Sequence, residues 1–185
     1  DLPVRGTNGR LGFAPALLQR NADSASDYLP LTRANLIRQS FKFLGERYGW
    51  GHAYNGRDCS GFVSEVYRSL GIDLPRNTGD QARSPVLGGR TFAAGDDVAR
   101  AEAAAALQVG DLVYIPGHVM LVIGHVDGAP YVIHDTAAIQ LGDGDRHVRV
   151  PINGVAVTPL VPLMFDRSSR VVDRITAIRH VRPTP

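Results

Sequence analysis

The chain has 185 residues, 20 basic against 18 acidic side chains, and 44% apolar residues. That length suits one domain with a modest extension, and a net charge of +2 without blocks of like charge speaks against a nucleic-acid surface. One cysteine rules out an internal disulfide framework and a thiolate-rich metal site, and no apolar run approaches the ~18 residues of a membrane span.

Residues 1–31 carry Gly6, Gly9, Gly12, Pro3, Pro15 and Pro30 without a sustained period, which reads as an N-terminal arm or the end of a preceding module. The start, DLPVRGTNGR, has neither an initiator Met nor the basic-then-apolar order of a secretory signal, so a processed product or a piece of something longer is expected. The remainder, 32–185, reads as one domain. From Thr32, TRANLIRQSFKFLG sets Leu36, Ile37, Ser40, Phe41 and Leu44 on one helical face, with Thr32 as N-cap and Gly45 as the stop. GRDCSGFVSEVYRSLGI predicts a second helix that buries Phe62, Val63, Val66, Tyr67 and Leu70, is capped by Asp58 and ends at Gly71. Residues 84–108 form a long excursion with one short helix, expected as a wall of the cleft. After it the pattern changes to short Val- and Ile-rich runs: DLVYI, HVMLVIG, PYVIH, HVRV, GVAVTPL and RITAIRHV. Helices followed by strands argue for an α+β fold on a mainly antiparallel β-sheet.

The chemistry centres on Cys59. At the first position of a helix its thiolate would be favoured by unpaired amides and the helix dipole, which predicts a lowered pKa and a nucleophile rather than a core residue. A nucleophile needs a base, and a hairpin centred on Val126 sets His118 opposite His134, eight positions to either side. One imidazole could take the thiol proton while the second orients it, a Cys-His-His triad. His125, His147 and His180 gain no role from their spacing. No metal-ligand motif such as H-E-x-x-H occurs, and no cofactor is expected.

These pieces resemble the NlpC-type cell-wall cysteine peptidases of the papain-like group. The likeness is carried by FLGERYGWGHAYNGRDCSGFVSEVYRSLGIDLPRNTGDQ (43–81), VGDLVYI, HVMLVIG and YVIHDT, and it covers most of 32–182. It implies a papain-like fold with N-terminal helices, the nucleophile helix among them, packed on the sheet. It implies Cys59 as nucleophile, His118 as general base, His134 as orienting residue, and Tyr48 beside the oxyanion site. It further implies cleavage of peptidoglycan stem peptides between γ-D-glutamate and a diamino acid, Asp58 and Ser60 contacting a free substrate amine, and Thr78 assisting. By the same resemblance the protein is exported to the envelope and is accompanied by wall-binding domains N-terminal to this chain. His52 departs from the pattern, standing where a second glycine is usual, and is expected either at the cleft rim or on a rerouted loop. A catalytically idle wall-binding module, or an acyltransferase or amidase using the same nucleophile, would share these motifs.

Overall fold

The computed structural model describes residues 1–17, 24–143 and 146–181. The arm forms a hairpin, β1 (Leu2–Arg5) with β2 (Leu11–Ala14), turning at Gly9 with φ 77°. Its 18–23 stretch lies outside the described residues. Helix α1 (Arg33–Phe41) starts as expected, with the Thr32 hydroxyl accepting from the Asn35 amide at 3.2 Å. It stops four residues before Gly45, leaving Phe41 and Leu44 exposed rather than on the buried face. The backbone there is drawn onto the last long strand instead: the Gly45 amide donates to Val155 O, the Val155 amide to Glu46 O and the Tyr48 amide to Asn153 O.

Helix α2 (Cys59–Arg68) follows two short turns joined across a kink at Trp50–Asn55. Asp58 caps it, its carboxylate accepting from the Gly61 amide at 2.9 Å, and Phe62, Val63, Val66 and Tyr67 are at most 1% exposed. Short α3 (Thr78–Arg83) comes next. The 84–108 excursion contributes β3 (Gly88–Thr91) and α4 (Asp97–Ala105). The sheet is completed by β4 (Asp111–Ile115), β5 (His118–Val126), β6 (Ala129–Asp143), β7 (Arg146–Pro159) and β8 (Ala177–His180).

Six strands pair in the order β3-β8-β4-β5-β6-β7, with every pair antiparallel. Both faces are covered. One carries Val119, Leu121, Ile133 and Val155 against α2 and α1; the other carries Val113, Met120, Val122 and Val132 against α4 and the segment after β7. Covering both faces explains why β4 is buried at all five positions instead of alternating. It also means α4 packs behind the sheet; of the 84–108 excursion only Thr91 on β3 comes near the site, lining a hollow that shares Thr78 and Gly117 with the cleft around Cys59. Among the described residues no helix is long and apolar enough to cross a membrane.

The β5–β6 hairpin turns at Asp127 and Gly128, both with positive φ (51° and 78°), rather than being centred on Val126. Beyond the turn, Gly124 pairs with Tyr131 but Val122 pairs with Val132, leaving Ile123 as an extra residue. Carried on, that register sets His118 opposite Thr136 and not opposite His134. The bulge still decides the outcome. Side chains alternate with period 2, so one extra residue turns His118 onto the face that His134 occupies, where the two form a diagonal pair.

Candidate active site

The end of the sheet where α2 begins carries Cys59, Tyr48, Asp58, Ser60 and Thr78 around one hollow, whereas His118 and His134 line a separate one, and the two adjoin at the turn before His118. Cys59 is 7% exposed, and its sulfur lies 4.0 Å from Gly117 O while accepting a hydrogen bond from the Val119 amide. The thiol is thus held by the peptide groups on either side of His118. The two-residue turn Pro116–Gly117, with Gly117 at φ 76°, joins Ile115 to His118 and delivers that histidine to the sheet's edge.

His118 Nε2 lies 2.8 Å from His134 Nδ1, and His134 Nε2 lies 3.0 Å from the hydroxyl of Thr158, which is buried on β7. The chain of contacts constrains the tautomers. If His118 Nδ1 is to be free to accept a proton, its Nε2–H must donate to His134, whose own Nε2–H then donates to Thr158. Burial pushes the His118 imidazole down to about 4, and burial together with His118 holds His134 well below the usual histidine range. Both rings rest neutral.

The thiol departs from expectation in the same direction. Burial pushes Cys59 up to about 11; hydrogen bonds from the Val119 and Ser60 amides favour the anion, but they and the helix N-terminus do not outweigh desolvation and the nearby charges of Asp58 and Asp135. At rest Cys59 is therefore a neutral thiol on the face packed against α2, and His118 and His134 are neutral imidazoles on the face of Met120, Val122 and Val132.

Asp58, Ser60, Tyr48 and Thr78 line a cleft of about 220 Å³ together with Cys59, Arg76 and Gly117. Arg76, part of the LPR motif but not singled out as a site residue, organises it. The Arg76 guanidinium donates to both Asp58 oxygens (3.1 and 2.7 Å) and to the Ser60 hydroxyl (3.0 Å). Asp58 Oδ2 also accepts from the Gly51 amide at 3.1 Å. Burial would raise the Asp58 carboxyl, but these bonds, Arg76 first, hold it below the usual range. Tyr48 is pushed up to about 12, by burial first and then by the charges of Cys59, Asp58 and Asp135, so its hydroxyl is a donor throughout the physiological range. Behind the cleft, fully buried Gln81 donates to Ser60 O, Ser64 Oγ and Pro75 O, tying α3 to the start of α2.

His52 lies in the kinked 50–55 loop. It sits at φ 66°, after Gly51 at φ 61°, in the left-handed region that favours glycine, and Ala53 at φ −60° breaks the run before Tyr54 at φ 57°. Its imidazole rests on Gly61, where a methyl group would overlap it, and it does not line the cleft. Among the other histidines, His180 Nδ1 pairs with Asp111 Oδ1 at 2.6 Å, a link between β8 and β4. Among the described residues no group of three His, Cys, Asp or Glu side chains is arranged to hold a metal ion.

Two polar groups escaped sequence reasoning. Thr158 left one signal, a lone hydroxyl in the apolar run GVAVTPL on the alternation that shares a face with His134. Asp135 is fully buried, neither carboxylate oxygen has a hydrogen-bond partner among the described residues, and burial, Glu46 and Asp58 push it up to about 7.

The NlpC/P60 family profile matches residues 45–154, a span that takes in α2, the cleft and both histidines. The chain belongs to the NlpC/P60 family. It is 34% identical over 128 residues to a Gamma-D-glutamyl-L-lysine dipeptidyl-peptidase of Bacillus cereus, covering 68% of this chain and 31% of that protein. It is 36% identical over 98 residues to the Probable endopeptidase p60 of Listeria seeligeri, covering 49% of this chain and 16% of that one. The chain thus spans less than a third of the length of either curated relative. An NlpC/P60 endopeptidase from Photobacterium damselae subsp. piscicida shares the fold, with a TM-score of 0.73 over 99% of this chain and 46% of its own at 18% identity. An NlpC/P60 family protein from Bacillus cereus matches at a TM-score of 0.53 and 27% identity, covering 86% of this chain and 42% of its own.

Proposed function

We propose that this chain is the catalytic part of an exported cysteine peptidase that hydrolyses peptidoglycan stem peptides at the bond between γ-D-glutamate and a diamino acid. The observation that carries the reading is the thiol of Cys59, held by the peptide groups flanking His118, whose imidazole is in turn bonded to His134. With both groups neutral at rest, proton transfer accompanies attack: Cys59 Sγ bonds to the γ-carbonyl carbon as its proton passes to His118 Nδ1. The oxyanion is received by the Cys59 amide, a first-turn N–H without an intrahelical partner, and by the Tyr48 hydroxyl. His118 then gives its proton to the departing nitrogen and the C–N bond breaks. Water hydrolyses the thioester through the same base, and the proton returns to sulfur. His134 and Thr158 keep the His118 ring in the tautomer that exposes Nδ1.

On the acyl side, Asp58 and Ser60 are the contacts for a free L-alanine amine at the stem's N-terminus, with Thr78 at the rim of the same cleft. Arg76 already engages both, so the amine meets a carboxylate that is anionic but shared. The reading is supported by the curated relative named for γ-D-glutamyl-L-lysine chemistry. The experiment is incubation with tri- and tetrapeptide stems, free and N-acetylated, followed by mass spectrometry of the products. Release of the diamino acid from free stems, and its loss on capping, is expected; equal cleavage of capped stems would remove Asp58 and Ser60 from amine recognition.

A further inference from the structure

The cleft around Cys59 adjoins a second hollow. Thr78 and Gly117 line both, and the boundary runs beside the thiol, whose sulfur lies 4.0 Å from Gly117 O. The second hollow is the larger, about 310 Å³ against about 220 Å³. It lies where α3 meets the sheet. Thr78 and Arg83 come from α3, Thr91 from β3, Thr176 from the residue before β8, and Pro116 and Gly117 from the turn that delivers His118.

The two hollows differ in charge. Around Cys59, Asp58 and Arg76 offset each other, whereas the second hollow is lined by one cation, Arg83, and by no acidic residue. Another guanidinium stands behind it: Arg179 donates through Nε to Ala82 O at 2.6 Å and through Nη2 to the Thr91 hydroxyl at 2.9 Å, and both acceptors belong to lining residues. Arg83 has hydrogen-bonding capacity to spare. Its Nη2 donates to Asp80 at 3.0 Å, a pair between side chains 75% and 54% exposed and so loosely held, and Asp80 does not line the hollow. The guanidinium lies back over the first turn of α3, since a Cβ on Gly79 would stand 3.4 Å from its Nη1 and 3.6 Å from its Nη2. That brings it to the end of the hollow that Thr78 shares with the cleft.

A substrate with its amine at Asp58 and its γ-carbonyl at Cys59 fills the cleft on the acyl side, and the chain beyond the scissile bond leaves past Gly117. We propose that the second hollow receives the diamino acid whose amine departs, and that Arg83 selects one whose side chain ends in a carboxylate. The proposal rests on the peptidase reading above and keeps the bond proposed there. Meso-diaminopimelate carries such a carboxylate and lysine does not. The carboxylate gains a charge-assisted hydrogen bond from Arg83, whereas a side chain ending in an ammonium alone meets only like charge. Because Arg83 is mostly exposed, the discrimination is modest, about fivefold.

The test compares kcat/KM for release of X from L-Ala-γ-D-Glu-X by the unmodified chain, with X meso-diaminopimelate, the same residue amidated at its side-chain carboxyl, or L-lysine. All three keep the α-carboxylate, so only the end of the side chain varies. Diaminopimelate is expected to exceed both others by about fivefold. Arg83→Gln is expected to bring diaminopimelate down to the level of the other two, with lysine release no lower and the thermal unfolding midpoint unchanged. Equal use of the three by the unmodified chain, a preference for lysine, or a diaminopimelate preference that survives Arg83→Gln would overturn the role of Arg83 while leaving the peptidase reading intact. Release of X from none of them would instead overturn the peptidase reading itself.

Discussion

Replacing Asp135 by Asn gives a quantitative handle on the site. Asp135 follows His134 on β6, opposite Val155, and its carboxyl is fully buried without a hydrogen-bond partner among the described residues. Its pKa rises from 3.8 to about 7, because burial, and after it Glu46 and Asp58, disfavour the anion. A folded-state pKa above the unfolded one means the folded protein holds the proton more tightly. The carboxyl therefore costs nothing extra below about pH 4, and an increasing penalty appears as pH rises from there to about 7, reaching a plateau of at most about 4 kcal/mol. Asn keeps the shape and polarity but has no proton to lose. Urea unfolding of both proteins between pH 4 and 8.5 should show the stability of Asp135→Asn, relative to the parent, growing with pH by up to about 4 kcal/mol. A difference that stays constant across that range would refute the assignment of a buried, unpaired carboxyl. Because the Asp135 charge also raises Cys59 and Tyr48, the same variant should lower the pH at which the free thiol reacts with an alkylating agent.

The remaining predictions concern the groups around the thiol. With His118 pushed down to about 4, the acid limb of kcat/KM should fall near that value, and a limb at the ordinary histidine value, about 6.5, would contradict a buried neutral base. Thr158→Val removes the acceptor that fixes the His134 tautomer and should lower kcat by about tenfold with little change in KM, measured on a free stem peptide. Arg76→Ala should destabilise the fold by about 1 kcal/mol, a small figure because the guanidinium is 43% exposed. Since Arg76 holds Asp58 low, that loss should be present at pH 7 and shrink as pH falls below 4, as followed by thermal unfolding.

Much of the site was legible because it rests on short-range signals. The Asp58 cap, the buried face of α2 and the Thr32 cap follow from local spacing, and each stands in the structure. What required tertiary information was register. The pairing of His118 with His134 on one face is right, but through the Asp127–Gly128 turn and the Ile123 bulge, neither of which periodicity reveals. The end of α1 moved because backbone bonds to β7 outcompete another helical turn, and α4 of the 84–108 excursion went behind the sheet because both faces need cover, while β3 joined the sheet itself. The thiol's pKa went the other way for a related reason: a helix N-terminus is visible in sequence, whereas the burial that outweighs it is not. Arg76 was visible as part of LPR but not as the partner of Asp58, since seventeen residues and a change of element separate it from Cys59.

The most direct measurement is intact-protein mass spectrometry after acid quench, on the parent chain and Cys59→Ala, each mixed with L-Ala-γ-D-Glu-L-Lys and L-Ala-γ-D-Glu-diaminopimelate. The account predicts a thioester adduct of L-Ala-γ-D-Glu on the parent, formed as the free amino acid is released, and neither adduct nor release from Cys59→Ala. Release of the amino acid by Cys59→Ala at the parent's rate would contradict it.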